Sequence, residues 1–220
     1  EFVVNPSDIV REYGADTLRL YEMFMGPLEV SKPWSATGVA GAKKFINRVW
    51  NFFSEPGNIT EADDGKLTKI YHQTVKKVTS DFGTLGFNTA IAQMMVFVNE
   101  VYKNGTCPRA YAEGFIKMIS CIIPHVGEEL WQLLGHDNTI AFEAWPTYDE
   151  EKCKDTEITF AVQVNGKMRG TVVMEADLDN DTVVQNVLAN EKIAAFLAKT
   201  PGQIRKTIVV KNKLVNLIVK

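Results

Sequence analysis

The stretch 145-WPTYDEEKCKDTEITFAVQV-164 divides the chain into two kinds of sequence. Upstream of it, apolar residues recur every three or four positions. Downstream, Ile158, Phe160 and Val162 alternate with Thr159, Ala161 and Gln163, the period-2 pattern of a half-buried strand. Between the two lies a charged run, 149-DEEKCKD-155, which reads as a linker. The boundary is therefore expected near 150–156, with one domain over 3–150 and another over 156–220.

Beyond the boundary, Asn165-Gly166 marks a hairpin turn. A two-residue turn would set Val162 opposite Arg169, mixing apolar and charged residues on one face. A three-residue loop, Val164-Asn165-Gly166, instead pairs Val162 with Met168 and Phe160 with Gly170, and leaves Gln163, Lys167 and Arg169 on the solvent face. Asp181 is expected to cap a helix through Val183, Val184, Val187 and Leu188, and a second helix covers Ile193, Phe196 and Leu197. Two strands, 204-IRKTIVVK-211 and 214-LVNLIVK-220, close the chain. A two-residue turn at Asn212-Lys213 would pair Ile208 with Leu217 and Val210 with Val215, turn that apolar face onto the helices, and send Arg205 and Lys211 outward.

Before the boundary, Phe45, Ile46, Val49, Trp50 and Phe53 recur at helical spacing. So do Phe87, Ile91, Met94, Met95, Val98, Val101 and Tyr102, and the series from Ile116 to Leu134 is interrupted by Pro124, where a break is expected. Two short helices, ending at Gly14 and at Gly26-Pro27, precede them. The fold class that follows is multidomain: an all-α bundle of four or five helices, then a small α+β domain of two hairpins plus one or two helices.

Composition narrows the functional classes. With 45% hydrophobic and 23% charged residues the 220-residue chain is too apolar to be disordered, and no apolar run approaches the length of a membrane span. No secretion leader opens it, and Cys107, Cys121 and Cys153 are widely spaced, as reduced cytosolic thiols would be. A cytoplasmic location without membrane partners is expected. Residues 1–155 hold 15 basic and 21 acidic residues, a net of −6, whereas 156–220 hold 9 and 6, a net of +3. A basic end on an acidic body points to an anionic partner.

Catalytic signatures are missing. Neither Gly-rich phosphate loop occurs, nor a G-x-S-x-G elbow, and His72, His125 and His136 stand at no metal-ligand spacing with the cysteines. His125 reads as a core or interface histidine. Glu128-Glu129 and Asp63-Asp64 read as solvated neighbours, since adjacent helix residues do not face each other. No catalytic residue, metal site or cofactor is assigned to this chain.

Specific strings carry a resemblance. The opening 3-VVNPSDIVREYGADTLRLYEMFMGP-27 resembles the segment after the KMSKS signature of class I aminoacyl-tRNA synthetases, with the G-A-D-T-L-R motif at Gly14 to Arg19. The strings 34-WSATGVAGAKKFINRVW-50, 87-FNTAIAQMM-95 and 124-PHVGEELWQLLG-135 are similar to the anticodon-binding bundle of the bacterial leucyl enzymes. The strings 162-VQVNGKMRG-170 and 213-KLVNLIVK-220 are similar to their small C-terminal domain. Glu1-Phe2 stand where the family has Gly-Asn and read as a foreign remnant, so the chain is expected to be an excised C-terminal piece.

The resemblance implies support for ATP-dependent attachment of leucine to its tRNA. The partners it implies are leucine tRNA and the upstream catalytic domains of the same enzyme, with no DNA. ATP and Mg would be substrates of the full-length enzyme, and catalytic and editing domains would lie upstream. Expected RNA contacts are Lys167 and Arg169 at the hairpin, Arg205 and Lys211 on the outward sheet face, and Lys213 in the closing turn. In the bundle they are Lys44 and Arg48, four apart and matching basic positions of the family. The alternatives are the corresponding part of an isoleucyl or valyl enzyme, and a non-catalytic protein-interaction module.

Overall fold

The computed structural model describes residues 3–154 and 157–220. Glu1-Phe2 and the Asp155-Thr156 end of the expected linker lie outside the described residues. The chain forms two compact units, one up to Cys153 and one from Lys154 onward.

The first unit is helical. Asn5 caps α1 (Pro6–Tyr13) by accepting from the Ser7 amide at 3.0 Å, and α2 (Ala15–Phe24) follows directly after Gly14. Ser35 caps α3 (Ala36–Phe53) through the Gly38 amide. A two-residue strand β1 (Ile59–Thr60) leads to α4 (Thr68–Gly83) and α5 (Phe87–Asn104), and pairs in parallel with β2 (Cys107–Pro108), which the sequence pattern does not show. The last two helices are α6 (Arg109–Ser120) and α7 (Pro124–Leu133). Pro124 opens α7 at its first position, where a missing N–H costs nothing, so the expected break is a clean helix boundary. The five helices α3 to α7 form the expected bundle, and with the two short helices α1 and α2 before them the unit has seven α-helices among the described residues.

The core follows the stripes. Phe45, Ile46, Val49 and Phe53 of α3 and Ile91, Met94, Val98 and Val101 of α5 are buried. Phe115 sits at the centre, stacked 5.0 Å from Phe53 and tilted at 5.3 Å from Phe97. The G-A-D-T-L-R segment contributes a polar bolt. Asp16 is buried, bonds to Arg19 at 3.0 Å and His125 Nδ1 at 3.1 Å, and accepts from the Val126 amide at 2.9 Å. One carboxylate thus ties α2 to the N-terminal end of α7, where backbone N–H groups lack helical partners. His125 is not a core residue: its ring is largely exposed.

The charged run after Trp145 is not a free linker up to Cys153. The Trp145 indole donates to Thr79 at 2.8 Å, the Asp149 amide to His72 Nδ1 at 3.1 Å, Lys76 to Glu150 at 2.7 Å and the Gln73 amide to the Cys153 carbonyl at 2.8 Å. Thr79, Lys76, His72 and Gln73 line α4, so this segment runs along that helix. Nor are two of the paired acids simply solvated. Asp63 accepts from the Gly65 amide, Thr68 and Tyr111, and Glu128 accepts from Thr139 and the Ile140 amide.

The second unit is a four-stranded sheet with two helices. Hairpin β3 (Glu157–Val164) and β4 (Lys167–Glu175) leads to α8 (Asn180–Ala189) and α9 (Glu191–Ala198), and hairpin β5 (Ile204–Val210) and β6 (Leu214–Val219) follows. The strand order is β4-β3-β6-β5, with β3 and β6 parallel at the centre. Asp179 rather than Asp181 caps α8, bonding the amides of Asp181 and Thr182 at 3.0 Å. Phe160, Val162 and Val164 pack with Val183, Val187, Ile193, Val215 and Leu217 in the core beneath the helices.

Both hairpin registers differ from expectation. The first turn has two residues, Asn165 and Gly166, both at positive φ (51° and 76°), and Val164 faces Lys167. The conflict this would create at Val162 is relieved one step later. A bulge leaves Arg169 unpaired, so Val162 faces Gly170 and Phe160 faces Val172. In the second hairpin three residues, Lys211-Asn212-Lys213, form the loop with Asn212 at φ 55°, and Val209 rather than Val210 faces Val215. A shift of one residue exchanges the faces of a strand. Accordingly Ile208 and Val210 are exposed, while Val209 packs on the core.

Candidate nucleic-acid interface

The register decides where each cation stands. At one end of the sheet lie the 165–166 turn, the start of β5 and the end of β6. Lys167 opens β4 there, Arg205 occupies a second bulge between Ile204 and Lys206, and Lys206 pairs with Ile218 on the face away from the helices. Lys220 is tied in by reciprocal backbone bonds with Gln203 at 2.8 and 3.1 Å. The side chains of Lys167, Arg205, Lys206 and Lys220 are exposed and meet no acidic group among the described residues. The opposite end is acidic. Glu157 faces Glu175 across the β3–β4 ladder, and Asp177 follows.

Asn165 organises the basic end. Its amide donates to the Val219 carbonyl at 3.1 Å, and its side-chain oxygen accepts from the Val219 N–H at 2.9 Å. The Gly166 amide donates to Asn216 Oδ1 at 3.1 Å. The turn residue therefore also extends the β3–β6 ladder, which its turn propensity alone does not reveal.

The seven expected contacts separate on this frame. Lys167 and Arg205 share the basic end. Arg169 does not join them on the solvent face: the bulge puts it on the helix side, its guanidinium 4.4 Å above the Phe196 ring. Lys211 is in the loop at the acidic end, 2.8 Å from Asp177, and Asp177 and Asn212 bond each other in both directions. These bonds, led by that from Lys211, hold the Asp177 carboxyl below the usual carboxylate range. Lys213 is exposed beside Lys211. Lys206 and Lys220, not among the expected contacts, belong to the basic end.

In the first unit most cations are occupied. Arg11, Arg19, Lys66, Lys76, Lys77, Lys103, Arg109 and Lys117 each pair with a carboxylate. Lys44 is exposed on α3 without such a partner among the described residues; exposed Lys32, in the loop before α3, and half-buried Lys43 also lack one, and the spacing argument passed over both. Arg48 is held differently. Its guanidinium lies 4.8 Å above the Tyr102 ring and donates one N–H to Asn99 at 2.9 Å, leaving its remaining donors available.

No group of three or more His, Cys, Asp or Glu side chains among the described residues is placed to hold a metal ion. No helix among the described residues is long and apolar enough to cross a membrane. Burial pushes the Cys107 thiol up to about 12.

The sequence profile of the anticodon-binding domain of tRNA ligase matches residues 64–185, more than half of the chain. The chain belongs to the tRNA-ligase anticodon-binding family. The fold is also similar to that of a LeuRS from Agrobacterium radiobacter, whose crystal structure is a ternary complex with tRNA and LeuAMS. That match has 26% identity and a TM-score of 0.74, and covers 99% of this chain but 30% of the LeuRS chain. The anticodon-binding chain thus spans under a third of that enzyme.

Proposed function

We propose that this chain is the tRNA-gripping part of a leucine–tRNA ligase, supporting ATP-dependent attachment of leucine by positioning the tRNA. Supporting the leucine assignment is the LeuRS likeness over nearly the whole chain, together with the strings 162-VQVNGKMRG-170 and 213-KLVNLIVK-220. The observation that carries the gripping role is the basic end of the small sheet, where Lys167, Arg205, Lys206 and Lys220 stand without acidic partners. Phosphate neutralisation supplies most RNA affinity, and unpaired cations are the ones that can provide it. In this reading chemistry, ATP and Mg belong to catalytic domains of the same cytoplasmic enzyme, which are further partners.

The test is a salt series of binding to leucine tRNA and to a tRNA lacking the long variable arm, with the native chain and the variant Lys167→Glu/Arg205→Glu/Lys206→Glu. Tight leucine-tRNA binding with a steep salt slope, reduced by about one for each phosphate contact removed, is expected. Equal affinity of the native chain and the variant would end the proposed grip. Binding to neither tRNA would favour a protein-interaction module.

A further inference from the structure

The first unit contains an apolar groove of about 560 Å³ between α2, α3 and the loop that joins them. Phe24, Met25, Pro33 and Met95 line its walls, and Lys32 stands in the lining with them. Trp34 flanks it, half-exposed, its ring edge-on to Tyr21 at 4.9 Å. The floor is opened by glycines on α3. A Cβ at Gly38 would stand 2.7 Å from the Tyr21 ring, whereas Gly41 faces open space.

On a helix, Gly38, Gly41, Lys44 and Arg48 fall at spacings of three, three and four, and so follow one face. Lys44 and then Arg48, braced by Tyr102 and Asn99, therefore stand farther along α3 from the glycines that line the groove. Lys32, Lys43 and Lys44 have no carboxylate partner among the described residues, in a unit whose other cations are mostly paired. A half-exposed aromatic slot with free cations leading from it has the makeup of a single-stranded nucleic-acid site, in which bases stack and phosphates pair.

We propose that this groove receives one unstacked nucleobase of a bound RNA, with the adjoining phosphates on Lys32, Lys44 and Arg48. The proposal rests on the RNA-binding reading of the chain and adds a base site to it. Charge decides against an apolar protein segment as occupant, since such a segment would leave these cations without counter-charge.

The experiment compares binding of a short unstructured oligouridylate with that of an abasic strand of equal length, using the whole chain. The base-bearing strand is expected to bind roughly tenfold more tightly, toward the low end of what base–aromatic stacking provides. Gly41→Phe, which fills open space, and Phe24→Ala, which removes a half-exposed wall, should each bring the two strands to equal affinity. Circular dichroism would verify that both variants remain helical. Equal binding of the two strands to the native chain would overturn the base site. So would a base preference that survives both variants, which would give the groove to an apolar protein segment. Leucine-tRNA binding, measured in the same buffer, reports separately on the underlying reading: its loss in the native chain would defeat both, whereas its persistence beside equal strand affinities would defeat only the base site.

Discussion

The two units handle charge in opposite ways. In the helical unit most cations are matched to acids, some of them far away in sequence, as Lys76 is to Glu150 and Arg109 to Glu61. In the small sheet unit, charge is sorted along the strands: acids gather at one end and unpaired cations at the other. The first arrangement ties segments together. The second leaves a field that a polyanion can use. The difference teaches that net charge per unit is a weaker guide to RNA contact than the fraction of cations already engaged.

Stability should divide along the same line. Phe115 stacks on Phe53 and Phe97 at full burial, so Phe115→Ala should cost the helical unit about 3–5 kcal/mol. Denaturant unfolding followed by tryptophan emission would measure this, since all four tryptophans lie before residue 146. Asn165→Ala should cost the sheet unit roughly 2 kcal/mol, because it strands the Val219 N–H and C=O. Amide exchange at Val219 is the readout. Slow exchange in the variant would show that the ladder does not depend on this side chain.

Affinity should break the comparison the other way. Arg205→Glu with Lys206→Glu is expected to weaken tRNA binding about tenfold or more and flatten its salt dependence. Lys76→Glu, in a unit of higher net negative charge, should weaken it far less, because Lys76 is already spent on Glu150. Equal losses would mean that overall charge, not availability, governs binding.

A smaller effect concerns pH. Burial, then the nearby charge of Lys152, holds the His72 imidazole below its ordinary range, and its Nδ1 must be unprotonated to accept from the Asp149 amide. The folded state thus binds its proton less readily than the unfolded chain. Stability contributed here is complete above the ordinary value of about 6.5 and falls as pH drops below it. Melting temperatures between pH 7.5 and 5.5 should decline more for the native chain than for His72→Asn; parallel declines would remove the role.

Most of the architecture was legible, and the failures are local. Helical stripes on α3 and α5 and the alternation in β3 are dictated by burial, which periodicity reports directly. The start of β4 and the faces of β5 were misread because loop length sets register. Asn165-Gly166 closes in two residues, with the extra residue displaced to Arg169, and the 211–213 loop uses three. No pattern of apolar residues separates those solutions, and each error turned cations or valines to the wrong side. Cation availability was hidden for another reason. The partners of Lys76 and Arg109 lie 74 and 48 residues away, and such pairs exist only after folding. Lys32 and Lys43 went unnoticed on the same ground, since their freedom shows only once other cations are seen to be paired.

The sharpest form of the comparison lies within the sheet itself, between Lys206 and Lys211. Both are exposed lysines on or beside β5, at its opposite ends, and by sequence alone either qualifies as a phosphate contact. Lys206 stands at the basic end without an acid partner among the described residues, whereas Lys211 is 2.8 Å from Asp177, at the end of the sheet where Glu157 of β3 faces Glu175 of β4. An RNA phosphate approaching Lys211 must displace Asp177 and meet its repulsion; one approaching Lys206 meets neither. Lys206→Ala should therefore lower the salt slope of tRNA binding by about one, while Lys211→Ala leaves it nearly unchanged. Asp177→Asn provides the converse: freeing Lys211 should raise affinity slightly and restore a dependence on Lys211. If Lys211→Ala already flattens the slope in the native background, the RNA crosses the acidic end, and the polarity of the sheet does not direct binding.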